Sequence, residues 1–253
     1  MPADRPSPPR PPGGPRPGGL VLVLAGGDPP HPDLVVPAHD LVVAADSGAH
    51  QAGRLGVAVD VLVGDLDSID PAVRAHLEAS GTRVEAHHPD KDATDIELAL
   101  QVALHAAPAA VTVVGGHGGR LDHALATVAA LAAIAAPGLR VEAWMGGARV
   151  QLAVDAVEVA GRVGELVSLL PQGGPATGVT TAGLRWPLAG ATLAPGSTWA
   201  MSNEVAASPA SVSLTGGVLA VVRPHALDPA ADRRHPAVPD RPADVPPAPG
   251  AGA

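Results

Sequence analysis

An N-terminal α/β domain with a mostly parallel sheet, followed by a smaller all-β sandwich domain, is the architecture this sequence predicts. Three observations carry it. Short apolar runs alternate with helical segments over the first half of the 253 residues, the alternation stops near residue 148, and proline collects at the two ends. The runs Leu20–Leu24, Leu41–Ala44, Val61–Val63, Val111–Val114 and Val141–Trp144 are continuous rather than alternating. That is the pattern of strands buried on both faces of a parallel sheet. Between them, residues 71–79, 94–106 and 120–135 have helical character. Strands alternating with helices predict an open α/β domain over 20–147. From 148 to 225 short Val/Leu/Thr segments (149–154, 157–160, 166–170, 177–181, 191–193, 212–214 and 218–222) follow one another through Gly, Pro and Ser turns. They predict a small antiparallel sandwich or barrel. Of the 29 prolines, eight fall in 1–19 and seven in 228–253, so residues 1–19 and 226–253 read as disordered, solvated tails. No internal repeat is visible.

Composition excludes several classes of function. The net charge is −9, and there is no Cys, Phe or Tyr. Disulfides, thiolate catalysis and Cys-ligated metal are therefore absent. An acidic chain with three Trp as its only large rings is a poor platform for nucleic acid. The mean hydropathy of +0.22 excludes global disorder. Leu20–Ala25 is too short for a signal-peptide core, and the Ala-rich stretch 124–136 is shorter than the roughly 20 residues needed to span a bilayer. The sequence reads as a soluble, cytoplasmic protein.

Ligands of open α/β sheets bind beyond the carboxyl ends of the strands, so the residues following each run are the candidates. The first run ends in Gly26-Gly27-Asp28, the second in Asp46-Ser47-Gly48, and the third in Gly64-Asp65-Leu66-Asp67-Ser68. Asp65 and Asp67 stand two apart, and an extended backbone would point both to one side. Carboxylates held together repel unless a cation lies between them, and Mg²⁺ suits an all-oxygen set that also takes substrate phosphates. The plainer alternative is a polar loop in which Asp67 or Ser68 caps the helix beginning near Pro71, but acids recur at several strand ends. In Lys91-Asp92-Ala93-Thr94-Asp95-Ile96-Glu97, Thr94 and Glu97 form a capping box, so Asp92 and Asp95 flank a helix N-terminus. Lys91 is the only lysine among 16 basic residues and sits within three aspartates. A compact ammonium suits a phosphate oxygen or a crowded carboxylate cluster. After the fourth run, Gly115-Gly116-His117-Gly118-Gly119 leads into Arg120-Leu121-Asp122-His123 and a helix. Glycines there admit a ligand close to the backbone, the helix start offers N–H groups to a phosphate, and Arg120 can add a fork. In the β half, Trp186 is one of very few rings that can stack on a heteroaromatic ligand, and Asn203 is the only asparagine.

In this order the segments resemble the thiamine pyrophosphokinase family. The matching signatures are Ala25-Gly26-Gly27, Asp46-Ser47-Gly48, Gly64-Asp65-Leu66-Asp67-Ser68-Ile69, Lys91-Asp92-Ala93-Thr94-Asp95, Gly118-Gly119-Arg120-Leu121-Asp122-His123, Ser168-Leu169-Leu170-Pro171, the stretch Gly183–Leu188, and Ser202-Asn203-Glu204. They span roughly 20–223. The resemblance implies an α/β catalytic domain joined to a β-sandwich thiamine-binding domain. It implies a homodimer with active sites between one subunit's first domain and the other's second. The implied reaction passes a pyrophosphoryl group from ATP to the thiamine hydroxyl, giving thiamine diphosphate and AMP with Mg²⁺ present. On this resemblance Asp46, Asp65, Asp67, Asp92 and Asp95 hold or surround the metal and triphosphate. Lys91 and Arg120 neutralise phosphate charge, while Asp122 shapes the site. Gly26, Gly27, Ser68, Gly118, Gly119 and His123 complete the ATP site. Trp186, Ser202 and Asn203 face the thiamine pyrimidine, and Asp46 or Asp95 takes the hydroxyl proton. The same chemistry on a pterin alcohol, or a non-catalytic thiamine or nucleotide sensor, are the alternatives. Three positions depart from the family pattern: His117 where Thr is common, Thr127 where Asn often follows, and Leu66 for the usual Phe. None replaces an acid.

Overall fold

The computed structural model describes residues 17–88, 90 and 92–232. Lys91 and most of the two proline-rich ends (1–16 and 233–253) lie outside the described residues. Strands β1 (Leu20–Leu24), β2 (Leu41–Ala45), β3 (Val61–Gly64), β4 (Arg83–Ala86), β5 (Ala110–Val114) and β6 (Arg140–Met145) form a parallel array in the order β4-β3-β2-β1-β5-β6. β4 is absent from the sequence reading. Its Arg83-Val84-Glu85-Ala86 is an edge strand with no fully buried residue, and so lacks the continuous apolar run that marks the others.

Helices α1 (Ala49–Leu55) and α2 (Pro71–Ala79) cover one face of the array through Ala49, Ala52 and Leu77 against Leu22, Leu24, Val42 and Leu62. Helices α3 (Asp95–His105) and α4 (Leu121–Ile134) cover the other, with Leu98, Leu100 and Leu131 against Val21, Val23, Val43, Val63 and Val113. Each fully buried Leu or Val contributes about 1.5–3 kcal/mol relative to exposure, and this stacking of small aliphatic side chains replaces an aromatic core. The helix starts follow sequence logic. Thr94 Oγ1 accepts from the Glu97 N–H at the start of α3, and Asp70, with Pro71 next to it, caps α2 by accepting from Ala72 N–H at 2.7 Å. Asp70 rather than Asp67 or Ser68 is therefore the cap, which leaves those two side chains to the loop. After Asp122 and His123 in its first turn, α4 is almost wholly apolar, Thr127 excepted. Its Leu121 and Leu125, one turn apart, are 73% and 63% exposed.

At Gly146-Gly147 the chain turns back, and β7 (Ala148–Ala153) pairs antiparallel with β6. The sheet does not stop where the sequence changes character. Beyond β7 the order continues β13-β9-β12-β8, where β8 is Ala156–Val159, β9 is Leu166–Ala182, β12 is Ala210–Ser213 and β13 is Gly216–Arg223. Short β10 (Ala191–Leu193) and β11 (Asn203–Glu204) also pair with β9. The two predicted segments 166–170 and 177–181 are thus one 17-residue strand. Its first part pairs with β13 and its end with β12, with a shift of register between. Strands that turn a corner between layers in this way use such irregularities. A second core, including Val167, Leu169, Val179, Leu193, Val212, Leu219 and Val221, fills this half. At its edge Glu165 and Arg223, 1% and 5% exposed, pair at 2.7 Å, and the Arg162 N–H donates to the same carboxylate. A final turn of helix, α5, spans Pro229–Asp232. Among the described residues no helix is long and apolar enough to cross a membrane.

Candidate active site

β2 and β3 deliver the acids. Asp46 opens a tight helical turn (Asp46–Gly48) directly after β2, while Asp65 and Asp67 follow β3. Carboxylate oxygens of the three lie within 4.8 Å of one another. The means differ from the extended backbone expected from sequence. The strand ends at Gly64, and Leu66 has φ +64° with its side chain buried beneath the loop, so the acids on either side project together. Asp46 too has a left-handed backbone, φ +43°. Strain of this kind costs on the order of 1–3 kcal/mol and clusters at functional sites. Asp95, first residue of α3, closes the group from the other side. A Cβ placed on Gly64 would be 3.0 Å from both Asp46 Cβ and Asp95 Oδ1.

Asp46 is 4% exposed. Burial pushes its carboxyl above the ordinary 3.8, and the charges of Asp95 and Asp65 push the same way, against hydrogen bonds from Ser47 N–H and Ser68. The Ser68 hydroxyl stands between the acids and donates to Asp67 Oδ1 at 2.8 Å. Asp46 Oδ1 is buried with no partner among the described residues. An unpaired buried carboxylate oxygen beside two more carboxylates is costly on its own and suits a hard divalent cation that takes all-oxygen ligands. The residues present therefore fit Mg²⁺. Asp92 is exposed in the turn before α3 and is not part of the three-acid group.

Asp46, Ser68 and Asp95 form one wall of a cleft of about 360 Å³, whose other wall is Gly26, Gly27, Gly118, Gly119, Arg120 and His123. The β1 and β5 loops meet backbone to backbone: Gly116 N–H donates to Gly26 O at 2.8 Å and Asp28 N–H to His117 O at 2.9 Å. Gly118, at φ +75°, has the Asp28 carboxylate where a Cβ would be. Arg120, just before α4, directs Nε and Nη2 onto Asp122 at 3.1 and 2.5 Å. The pair is exposed, and Arg120 holds the Asp122 carboxyl down at about 2. Thr127, one of the departures noted above, is 3% exposed, lines the cleft and bonds the His123 carbonyl at 2.8 Å. Gln51 escaped the sequence reading. It is 2% exposed on α1 and donates from Nε2 to the Gly27 carbonyl at 3.2 Å, tying the first glycine loop to the helix behind Asp46. A glutamine in a short, Gly-containing helix gives no sequence signal.

Trp186, Ser202 and Asn203 lie in the β half, outside the lining of this cleft. Asn203 is 4% exposed, and its side chain works on the main chain. Oδ1 accepts from Trp186 N–H at 3.1 Å and Glu204 N–H at 2.8 Å, while Nδ2 donates to Trp186 O at 2.7 Å. It fixes the backbone of Trp186 on both sides. Ser202 N–H donates to Ser168 Oγ at 3.1 Å, which explains why Ser168 stands in the same pattern.

A glycine-loop cleft walled by a carboxylate cluster, on a parallel sheet carrying a β half, defines a phosphotransferase of two-part architecture. Comparison with known proteins gives this class its family. Residues 33–143 match the thiamin pyrophosphokinase catalytic domain and residues 155–219 the thiamin pyrophosphokinase vitamin B1 binding domain. The thiamine pyrophosphokinase of Bacillus subtilis is 27% identical over 222 residues, covering 80% of this chain and 97% of that protein. Its crystal structure superposes with a TM-score of 0.71 at 26% identity, over 81% of this chain and 98% of that one. A family member from Enterococcus faecalis gives 0.65 at 25% identity, over 81% and 97%. The chain belongs to the thiamine pyrophosphokinase family.

Proposed function

We propose that this protein transfers the pyrophosphoryl group of ATP to the hydroxyl of thiamine, releasing AMP and thiamine diphosphate, as a cytoplasmic homodimer. The observation that carries the reading is the Asp46–Asp65–Asp67 group, with oxygens within 4.8 Å, whose Asp46 lines the same cleft as Gly118 and Gly119 in a chain of this family. Asp46, Asp65 and Asp67 would hold Mg²⁺, and a bound Mg²⁺ neutralises charge on the phosphate oxygens. The glycine loops and the start of α4 bind the triphosphate through backbone N–H groups. Of Arg120's five N–H donors, those not given to Asp122 remain for the phosphates. Lys91 precedes the start of α3 in sequence and is assigned to the same phosphate charge. In-line attack by the thiamine hydroxyl on the β-phosphorus forms one P–O bond as the bond to AMP breaks. Asp95 stands against Asp46 but outside the three-acid group, and we assign it the hydroxyl proton. Asp92 is left to orient that loop, and Asp122 to orient Arg120.

The acceptor set of Trp186, Ser202 and Asn203 does not line the cleft of its own chain, which supports a site completed by the β half of a second copy. The test is direct: purified protein with ATP, Mg²⁺ and thiamine, products separated by chromatography. AMP and thiamine diphosphate in equal amounts are expected. ADP would refute pyrophosphoryl transfer, and absence of product would favour a sensor.

A further inference from the structure

Trp186 is held by more than Asn203. The Arg185 N–H donates to the Glu204 carbonyl at 2.8 Å, and Leu184 bridges Val205, so residues 184–186 lie along β11. Successive side chains of an extended segment point to opposite sides, so Arg185 would ordinarily leave its neighbour's ring alone. Instead its guanidinium carbon sits 4.9 Å from the centroid of the Trp186 indole, and Nη1 is fixed by Glu204 Oε2 at 2.9 Å. Both charged side chains are largely buried, 29% and 20% exposed. We propose that Arg185 and Glu204 are positioning residues for the acceptor. They cover one face of the indole with a fixed cation and leave the other face for the neutral aminopyrimidine of thiamine. The proposal rests on the acceptor role assigned to Trp186 above.

The chemistry follows from the ring. An indole attracts cations through the negative potential of its faces, and a guanidinium already seated on one face reduces what the other offers to a second positive charge. The cationic thiazolium is therefore the less favoured partner of the two thiamine rings, and the orientation of the hydroxyl-bearing end is set with it. Glu204 neutralises Arg185 from the side, which keeps the guanidinium over the ring rather than extended into solvent. The same construction recurs away from the site, where Arg149 lies 5.4 Å over Trp144 and pairs with Glu142 at 2.6 Å.

The experiment uses a full-length background with Trp144→Phe and Trp199→Phe, so that emission reports Trp186 alone, into which Arg185→Met or Glu204→Gln is introduced. Without ligand, acrylamide quenching of Trp186 should rise in both variants as the covered face opens. With substrates, KM for thiamine should rise about three- to tenfold while kcat and KM for ATP stay within about twofold. Circular dichroism and the thermal midpoint confirm that each variant folds. Unchanged quenching in Arg185→Met means the indole is not covered in solution, and the proposal falls. Increased quenching with unaltered thiamine KM also overturns it, since the cover then positions nothing. If the parent makes no AMP, the proposed function fails instead. Titration of Trp186 emission with thiamine then decides this proposal alone, a weaker affinity in the variants supporting it and an equal one refuting it.

Discussion

At the scale of single residues, Asp46 joins strain, burial and an unpaired oxygen in one side chain. Its raised carboxyl fixes the sign of a pH effect. A group whose folded value lies above its unfolded one contributes most to stability below the ordinary carboxylate range. That contribution is lost as pH rises from about there through the raised value. In EDTA the parent should therefore lose thermal stability over that window, Asp46→Asn should not, and Mg²⁺ should raise the midpoint of the parent alone. Differential scanning fluorimetry across pH checks all three. Asp65→Asn should lower kcat by about a hundredfold or more while the metal-free midpoint does not fall, because it removes a metal ligand yet relieves the repulsion on Asp46. Normal turnover at ordinary Mg²⁺ would end the metal assignment. The acids themselves were legible in the sequence because they recur directly after apolar runs. What brings them together was not. Leu66 in a left-handed conformation, Ser68 between two carboxylates and Gln51 behind the loop are consequences of backbone torsions and tertiary contact, neither of which leaves a periodic trace. Asn203 was found as a rarity, yet its side chain grips the Trp186 backbone, a use that rarity does not reveal.

At the scale of elements, the strands buried on both faces were readable to within a residue, since burial on two sides demands uninterrupted Val, Leu and Ala. Elements that escape that demand were not. β4 is an edge strand with two charged residues, α1 starts immediately after the site turn and contains Gly53, and β9 runs through Pro171, Gly173 and Gly174, which read as a break. The cap of α3 was legible as a capping box, and Thr94→Ala should cost about 0.5–2 kcal/mol in chemical denaturation. Removal of one partner from the buried Glu165–Arg223 pair should cost more. Glu165→Ala is expected to lose about 3–5 kcal/mol, because the guanidinium it leaves behind is uncompensated. In the nucleotide loop Gly118→Ala meets both an unfavourable torsion and the Asp28 carboxylate. Its signature should be a raised KM for ATP with an unaltered KM for thiamine.

At the scale of the whole molecule, the proposed shared site makes a prediction that no single-chain enzyme would meet. Asp65→Asn and Trp186→Ala chains, each inactive alone, should regain about a quarter of parental activity when mixed and allowed to exchange. Half of the dimers formed are then mixed, and each of those has one site free of both changes. No recovery would place both halves of the site in one chain. Leu121 and Leu125, exposed one turn apart at the start of α4, offer a second copy a pair of apolar side chains to cover. Leu125→Glu should shift the protein toward monomer in light scattering, and activity should fall with it.

The unbroken run of hydrogen-bonded strands from β4 to β8, with the antiparallel pairing of β6, β7 and β13 carrying it from one half into the other, bears on how the enzyme would open and shut. Two lobes joined by a flexible linker can clamp a substrate by swinging about the joint. Here the joint is itself a ladder of backbone bonds, and bending it would mean breaking several at once. Within one chain the catalytic stroke is thus left to small excursions of loops such as 26–28 and 115–119. In the proposed dimer any larger motion would be a rocking of one copy against the other, which would set the cadence of turnover at the seam between subunits rather than at a hinge inside either.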